Sequence, residues 1–199
     1  MDDIVLKAMT KWPRVPAVYG WLALDRRGRW RLRGERIGNT ATNQFISRNY
    51  AADDCGRFFF QNGPQRVFVD LEYAPWVLSL DGCSRLETHT GAPVETIERS
   101  FVDDEFNFLI ESEHGLGLLH DQDLAPISEG FEDAEGSPVD DAVVETALVQ
   151  LQSGRAMPLW LRWHGQRVPV LPIKRSETAL AFHFDPNPRA EDGSQTPVT

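Results

Sequence analysis

Apolar and polar residues alternate with a period of two along most of the chain, as they do in half-buried strands. In residues 65–71, Val67, Val69 and Leu71 face one side and Phe68 faces the other. The alternation predicts strands over residues 18–24, 29–33, 57–61, 65–71, 76–80, 85–88, 107–111, 117–120, 158–163, 168–173 and 180–184. Sheet is therefore expected to dominate the fold.

Three segments show the helical period instead. Residues 2–12 place a set of apolar side chains on one face, namely Ile4, Val5, Ala8, Met9 and Trp12. A second helix is predicted over residues 40–50, capped by Asn39 or Thr40, and a third from Ser137 to a stop at Gly154. The pattern predicts an α+β fold in which an N-terminal and a C-terminal helix cover a strand-rich sheet.

A group of five features occurs twice, about fifty residues apart. Each copy has an acidic turn, an aromatic strand, a glycine turn, a second strand and an Ala-Pro exit, and the copies begin at Asp53 and Asp103. We interpret this as an internal duplication of a hairpin motif. We therefore expect one domain over residues 1–185, with repeats at about 18–80 and 81–127, a helix and hairpin over 137–185, and a disordered tail over 186–199.

Two later segments have their own signals. Residues 128–137 are acidic and contain glycine, so they are predicted to form a loop. Pro169 and Pro172 cannot donate ladder hydrogen bonds, which places the strand over residues 168–173 at an edge of the sheet. An exposed edge of this kind could pair with a second copy, so a homodimer is one expectation.

Charge is unevenly distributed along the 199 residues, whose formal net charge is −10. Residues 100–154 contain fourteen acids and no Lys or Arg, whereas Arg26 to Arg36 form a basic ribbon. The acidic balance disfavours nucleic acid, since phosphates require a cationic surface. No apolar run approaches membrane length and the N-terminus is acidic, so no membrane association and a cytoplasmic location are predicted. The two cysteines are expected to be reduced.

Several of these residues resemble a known family. Trp30, the aromatic strand from Arg57, and above all Glu72-Tyr73-Ala74-Pro75-Trp76 are similar to motifs of a bacterial domain-of-unknown-function family built from repeated strand-rich motifs. The resemblance covers roughly residues 19–126. It implies strand-rich repeats with accompanying helices and a role in signal transduction, and it supplies no catalytic residues.

Catalytic motifs of the common hydrolase, nucleotide-binding and zinc-protease types are absent from the sequence. One cluster has the residue types of a metal site, namely His114, His120, Asp121 and Asp123. This cluster defines an alternative function, a metal-dependent enzyme. Equivalent acids occur in the first copy without a histidine, which favours a structural role. No cofactor is therefore predicted, and the assignment leans away from an enzyme.

The leading prediction is a ligand-sensing or protein-interaction module. Tyr73, Trp76 and Phe68 are the expected ligand-binding residues, because large aromatic side chains leaving a strand can wall a pocket. An acidic face is expected to bind a protein partner through Asp121, Asp123, Glu129, Glu132, Asp133 and Glu135. A less favoured alternative is nucleic-acid binding through Arg26 to Arg36.

Overall fold

The computed structural model of the chain describes residues 1–12, 15–153, 155 and 158–190. These residues form two compact units. Unit 1 contains Met1–Pro75, His89–Gly91 and the chain from His183 onward, and unit 2 contains Trp76–Thr88 and Ala92–Phe182. Both combine a mixed sheet with helices, which confirms the predicted α+β class.

Unit 1 is built on a six-stranded sheet. Its elements are α1 (Asp3–Lys11), β1 (Val18–Leu24), β2 (Trp30–Leu32), β3 (Glu35–Arg36), α2 (Thr40–Arg48), β4 (Tyr50–Ala52), β5 (Phe58–Asn62) and β6 (Gln65–Leu71). The strand order is β3-β2-β1-β6-β5-β4, and β1 and β6 are the parallel pair. The buried faces of these strands supply the core, with Leu22, Leu24 and Val69 among its side chains.

Unit 2 is built on an eight-stranded sheet. Its elements are β7 (Trp76–Leu80), β8 (Leu86–Thr88), β9 (Ile97–Asp103), β10 (Phe108–Ser112), β11 (Gly115–Leu119), a 3₁₀ helix (Asp121–Asp123), α3 (Leu124–Ser128), β12 (Phe131–Glu132), α4 (Asp141–Gln152), β13 (Trp160–Trp163), β14 (Gln166–Ile173) and α5 (Arg175–Ala181). The order is β12-β13-β14-β9-β10-β11-β7-β8. Leu78, Ile110, Phe131 and Leu161 lie in its core.

The two sheets share an order of five strands. In unit 1 this order is β2-β1-β6-β5-β4, and in unit 2 it is β8-β7-β11-β10-β9. The pairing directions also agree, because β1–β6 and β7–β11 are parallel and the other three pairs of each set are antiparallel. Unit 2 then continues past β9 with β14, β13 and β12.

One type of aspartate turn occurs five times among the described residues. In each turn the Asp N–H donates to the carbonyl four residues later at 2.8–3.1 Å, and its Oδ1 accepts from that residue's N–H at 2.7–3.0 Å. The fourth residue of every turn has a positive φ. The turns begin at Asp25, Asp53, Asp81, Asp103 and Asp133. The acidic turns seen in the sequence are thus structural, because their carboxylates bond their own backbone.

Helix boundaries follow the available caps. Asn39 caps α2 as predicted, since its Oδ1 accepts from the Thr42 N–H at 2.8 Å. The third helix begins later than predicted, because the Asp140 carboxylate accepts from Val143 N–H and replaces Ser137 as its cap. The predicted stop at Gly154 lies outside the described residues.

The prediction of a loop over residues 128–137 is wrong in part. Phe131 is buried in the core of unit 2, and β12 pairs with β13 through Phe131 and Leu161. The acidic composition concealed this short strand, because a single buried aromatic side chain is enough to anchor it.

The predicted edge position of residues 168–173 is also wrong. The strand β14 pairs with β13 on one side and in parallel with β9 on the other. The Pro169 carbonyl still accepts a hydrogen bond, from the Ser100 hydroxyl at 3.0 Å. Residues 166–169 pair with β13 and residues 170–173 pair with β9, so β14 is an inner strand of the sheet, and a homodimer stays a prediction.

The C-terminal predictions need correction too. Residues 175–181 form the helix α5, and no strand runs over 180–184 in the described structure; Leu180 is 81% exposed. Part of the expected disordered tail is held in place, because the Leu71 N–H donates to Pro186 O at 2.8 Å and Arg189 pairs with Asp70 at 2.7 Å. Residues 191–199 lie outside the described range.

The first helix buries less than its pattern predicts. Val5 is buried in α1, whereas Ile4 is 74% and Trp12 is 51% exposed. Asp2 fixes the helix to unit 1, through its N–H to Asn49 Oδ1 at 2.8 Å and an ion pair with Arg48. Within the described ranges, no helix has the length and apolar character needed to span a membrane.

Candidate functional site

The predicted ligand-binding aromatic residues are divided between the two units. Phe68 and Tyr73 are buried within unit 1, where Phe68 stacks on Tyr19 with ring centroids 4.6 Å apart. Trp76 begins β7 in unit 2 and its ring lies 5.7 Å from the His114 ring. Burial gives Phe68 and Tyr73 packing roles, and a ligand role for the three residues stays a prediction.

The histidine and aspartate cluster is not assembled as a metal site. His114 Nε2 lies 2.8 Å from Pro93 O, and Asp123 Oδ2 accepts from Leu80 N–H at 3.1 Å. His120 caps the 3₁₀ helix by accepting from Gln122 N–H, with Asp121 3.1 Å away. Among the described residues, no three His, Cys, Asp or Glu side chains are grouped to hold a metal. A metal-dependent enzyme gains no support.

The acids of the predicted partner face differ in their availability. Glu132 is buried between Arg162 and Arg167, and the hydrogen bond from Arg162 holds the pKa of its carboxyl below the usual value. Asp133 forms one of the five turns, and Asp123 bonds the backbone of β7. The remaining three acids are exposed, namely Asp121, Glu129 and Glu135.

Most arginines of the basic ribbon have partners inside unit 1. Arg29 and Arg31 both pair with Asp25, at 2.9 and 3.2 Å. Arg33 covers the Trp21 ring at 4.0 Å, and Arg26 lies 5.3 Å from the Tyr73 ring. Such pairing reduces the positive charge available to phosphates, so nucleic-acid binding is not favoured.

An open groove runs along α4 in the described part of unit 2. It encloses about 360 Å³ and is lined by Phe106, Asp141, Val144, Glu145, Leu148 and Val149. On α4, these five helix residues recur at helical spacing and so share one face. Phe106 is 45% and Val149 is 51% exposed, so the two side chains present adjacent apolar surface at the groove.

Phe106 reaches this groove in a strained backbone conformation. It is the fourth residue of the Asp103 turn and has φ +61°, in the left-handed region. The corresponding residues of the other turns are Gly28, Gly56, Ser84 and Gly136. A bulky residue costs about 1–2 kcal/mol in this conformation, and such strain persists only where surrounding contacts enforce it.

The turn that carries Phe106 is held on both sides. Gln152 at the end of α4 donates to Asp104 O at 3.1 Å, and Arg175 at the start of α5 donates its N–H to Asp104 Oδ1 at 2.8 Å. The Arg175 guanidinium also pairs with Glu105 at 2.7 Å. The exposed phenyl ring is therefore presented by a fixed backbone.

The two units differ in charge. Unit 1 has 13 Lys and Arg against 11 Asp and Glu, whereas unit 2 has 7 against 19. Asp141 and Glu145 lie at the groove itself, and α4 carries no basic residue. An apolar groove in an acidic surface attracts groups that are both apolar and cationic.

Sequence reasoning missed the groove. The helical spacing of Val144, Ala147, Leu148 and Leu151 predicts a stripe that is buried throughout, but Val144 and Leu148 are only half-buried, and Ala147 is the one of the described side chains in this set that is fully buried. The signal for Phe106 was present, because the fourth position of an aspartate turn normally requires glycine. The unusual position of Phe106 becomes evident only when the five turns are aligned with one another.

The fold defines an α+β protein built on two mixed sheets. The chain belongs to the family DUF2944, described as "Protein of unknown function (DUF2946)", whose sequence profile matches residues 1–189. The predicted resemblance to a domain-of-unknown-function family is therefore confirmed. No curated protein matches the chain.

Two solved structures are similar to it. A DUF1285 family protein from Silicibacter pomeroyi DSS-3 is 16% identical, with a TM-score of 0.52 over 87% of this chain and 97% of that chain. A DUF1285 family protein from Shewanella baltica OS155 is also 16% identical, with a TM-score of 0.41 over 53% of this chain and 88% of that chain. At this identity the likeness of the first shows the fold alone.

Proposed function

We propose that the chain is a protein-interaction module that binds a cationic, amphipathic helix of a partner in the α4 groove. The observation that carries this proposal is Phe106, an exposed aromatic residue kept at a left-handed position where the other turns have Gly or Ser. Observed backbone strain of this kind suggests function. Apolar anchors on a rigid element are the usual centre of a binding surface.

The chemistry of the partner follows from the groove. Leu148, Val149 and Phe106 would contact apolar side chains spaced by one helical turn, as in other helix-in-groove complexes. Asp141 and Glu145 would pair with Lys or Arg on the same partner helix. The strongly acidic composition of unit 2 adds long-range attraction, which speeds association at low salt.

Three finer predictions from the sequence belong to this proposal. An internal duplication is supported by the strand order common to the two sheets. A cytoplasmic location and a role in signal transduction are compatible with a module that recognises another protein. Sensing of a small ligand has less support, because Phe68 and Tyr73 are packed inside unit 1.

Binding of a synthetic helical peptide tests the proposal. The probe is a fluorescent 18-residue peptide with Leu and Lys on adjacent faces, and fluorescence anisotropy at low salt measures its Kd. We expect a Kd of about 10 µM, since one short helix makes a small interface, and weaker binding as salt rises. A matched peptide with Glu in place of Lys should not bind.

Charge reversal then locates the site. The double variant Asp141→Lys with Glu145→Lys should weaken binding at least about tenfold, through loss of attraction and added repulsion. The double variant Glu129→Lys with Glu135→Lys makes the same change in net charge on exposed acids outside the groove lining, and should weaken binding by about threefold or less. Equal effects of the two variants, or no binding of the Lys peptide, would contradict the proposal.

A further inference from the structure

The exposed side of α1 has the chemistry that the α4 groove requires. Ile4, Lys7 and Lys11 follow one another at intervals of three and four residues and therefore share one exposed side of α1. Ile4 is 74% exposed although it is large and apolar, and Trp12, which follows the helix as its C-cap, is 51% exposed. Val5, which is buried, lies on a neighbouring side of the helix. The side that carries Ile4 and the two lysines is therefore not covered by unit 1.

The two lysines on this side of α1 are spaced by about one helical turn. Lys7 and Lys11 are exposed and lie four residues apart, about 6 Å along the helix axis. Asp141 and Glu145 have the same separation on α4. Two helices laid side by side can therefore match both lysines with both carboxylates in a single register.

The lengths of the two helices also agree. α1 has nine residues and α4 has twelve, so α1 fits within the length of the groove wall. In the antiparallel alignment that pairs the two lysines with the two carboxylates, Ile4 lies level with Leu148. Apolar contact and charge pairing are then satisfied together, which is the pattern of helix-in-groove recognition.

We propose that α1 of a second copy of this chain binds in the α4 groove, so that the protein associates with itself. This inference rests on the proposed function, because it names a helix of the same chain as an occupant of that groove. The contact joins unit 1 of one copy to unit 2 of another and is heterologous. It either closes as a reciprocal dimer or continues into longer assemblies.

Sedimentation velocity of the full 199-residue chain between 1 and 200 µM provides the first test. The expected result is a mass that rises with concentration above the 22.5 kDa of the monomer. Ile4→Glu and Phe106→Gly should each weaken association at least tenfold. Leu180→Glu, which places the same charge on an 81% exposed residue of α5, should leave it unchanged.

Mixing the two defective variants gives the sharper test. Ile4→Glu keeps an intact groove and Phe106→Gly keeps an intact α1, so an equimolar mixture should recover one contact and form a heterodimer. A mixture that remains monomeric, or association that persists in both variants alone, would overturn the inference.

The outcome is separable from that of the proposed function. A wild-type chain that stays at 22.5 kDa up to 200 µM, yet still binds the Lys peptide, overturns self-association and leaves the interaction module standing. A chain that neither associates nor binds the peptide overturns both.

Discussion

Two aspartate turns hold the same place in the shared strand order, one after β4 in unit 1 and one after β9 in unit 2. They differ in what the residue at their left-handed position contacts. Gly56 in the first turn is covered by the chain itself, since the Asp185 N–H donates to Gly56 O at 3.0 Å. Phe106 in the second is 45% exposed beside a groove. One backbone turn thus serves as a closed packing contact in unit 1 and as an open surface in unit 2.

The difference arises from the residue at the left-handed position. Glycine allows another segment to approach closely, and a Cβ at Gly56 would overlap the His183 carbonyl oxygen. Phenylalanine at the same position excludes such an approach and presents a ring instead. Hydrogen bonding therefore fixes the conformation of the turn, whereas the residue at the left-handed position determines what the turn contacts.

Of the substitutions in these turns, Gly56→Ala should cause the largest loss of stability. The added Cβ meets the His183 backbone, and a left-handed φ of +72° is unfavourable for alanine, so we expect a loss of about 3 kcal/mol in the free energy of unfolding. Urea denaturation measures it. Gly136→Ala is the matched control, because its Cβ meets nothing closer than 3.8 Å and only the conformational cost of about 1 kcal/mol applies.

Equal losses for the two glycine variants would show that the contact with the His183 segment contributes nothing. The Gly56 turn would then gain no stability from its packing, and the proposed contrast between the two turns would be wrong.

A lower pH should reduce the stability of unit 1, because His89 is neutral in the folded protein and takes up a proton on unfolding. Its ring packs against Trp30 and Tyr50 with centroids 5.2 and 5.5 Å away, and although part of the residue reaches the surface, burial lowers the pKa of the imidazole to about 3. The unfolded chain binds this proton near pH 6.5, so stability is complete above that pH and declines as pH falls towards 3. We expect a loss of about 1–2 kcal/mol between pH 7 and pH 5.

Urea denaturation at a series of pH values, followed by tryptophan fluorescence, measures this loss. His89→Gln has no titrating group, so it should lower stability at every pH and remove this part of the pH dependence. An unchanged slope between pH 7 and pH 5 in that variant would assign the acid sensitivity to other groups.

The sequence predicted the α+β class and many of the strands, because period-two alternation survives wherever one face of a sheet is buried. The bounds of β1, β6 and β7 agree with the prediction. It missed β12, which lies in an acidic segment, and it placed the correctly predicted strand β14 at an edge because of its prolines, although β14 lies between β13 and β9. It also failed for the groove, because exposed and buried apolar residues on α4 look alike in a periodic pattern.

Because Phe106 is proposed to serve binding at a cost in stability, Phe106→Gly should change these two properties in opposite directions when unfolding and peptide binding are measured on the same sample. We expect a gain of about 0.5–1 kcal/mol in the free energy of unfolding, with at least a tenfold loss of affinity for the Lys peptide. Ser84→Gly relieves the same conformation in the Asp81 turn, outside the groove lining, and should gain stability without losing affinity. A Phe106→Gly chain that is less stable, or that binds the peptide as well as wild type, would contradict the account.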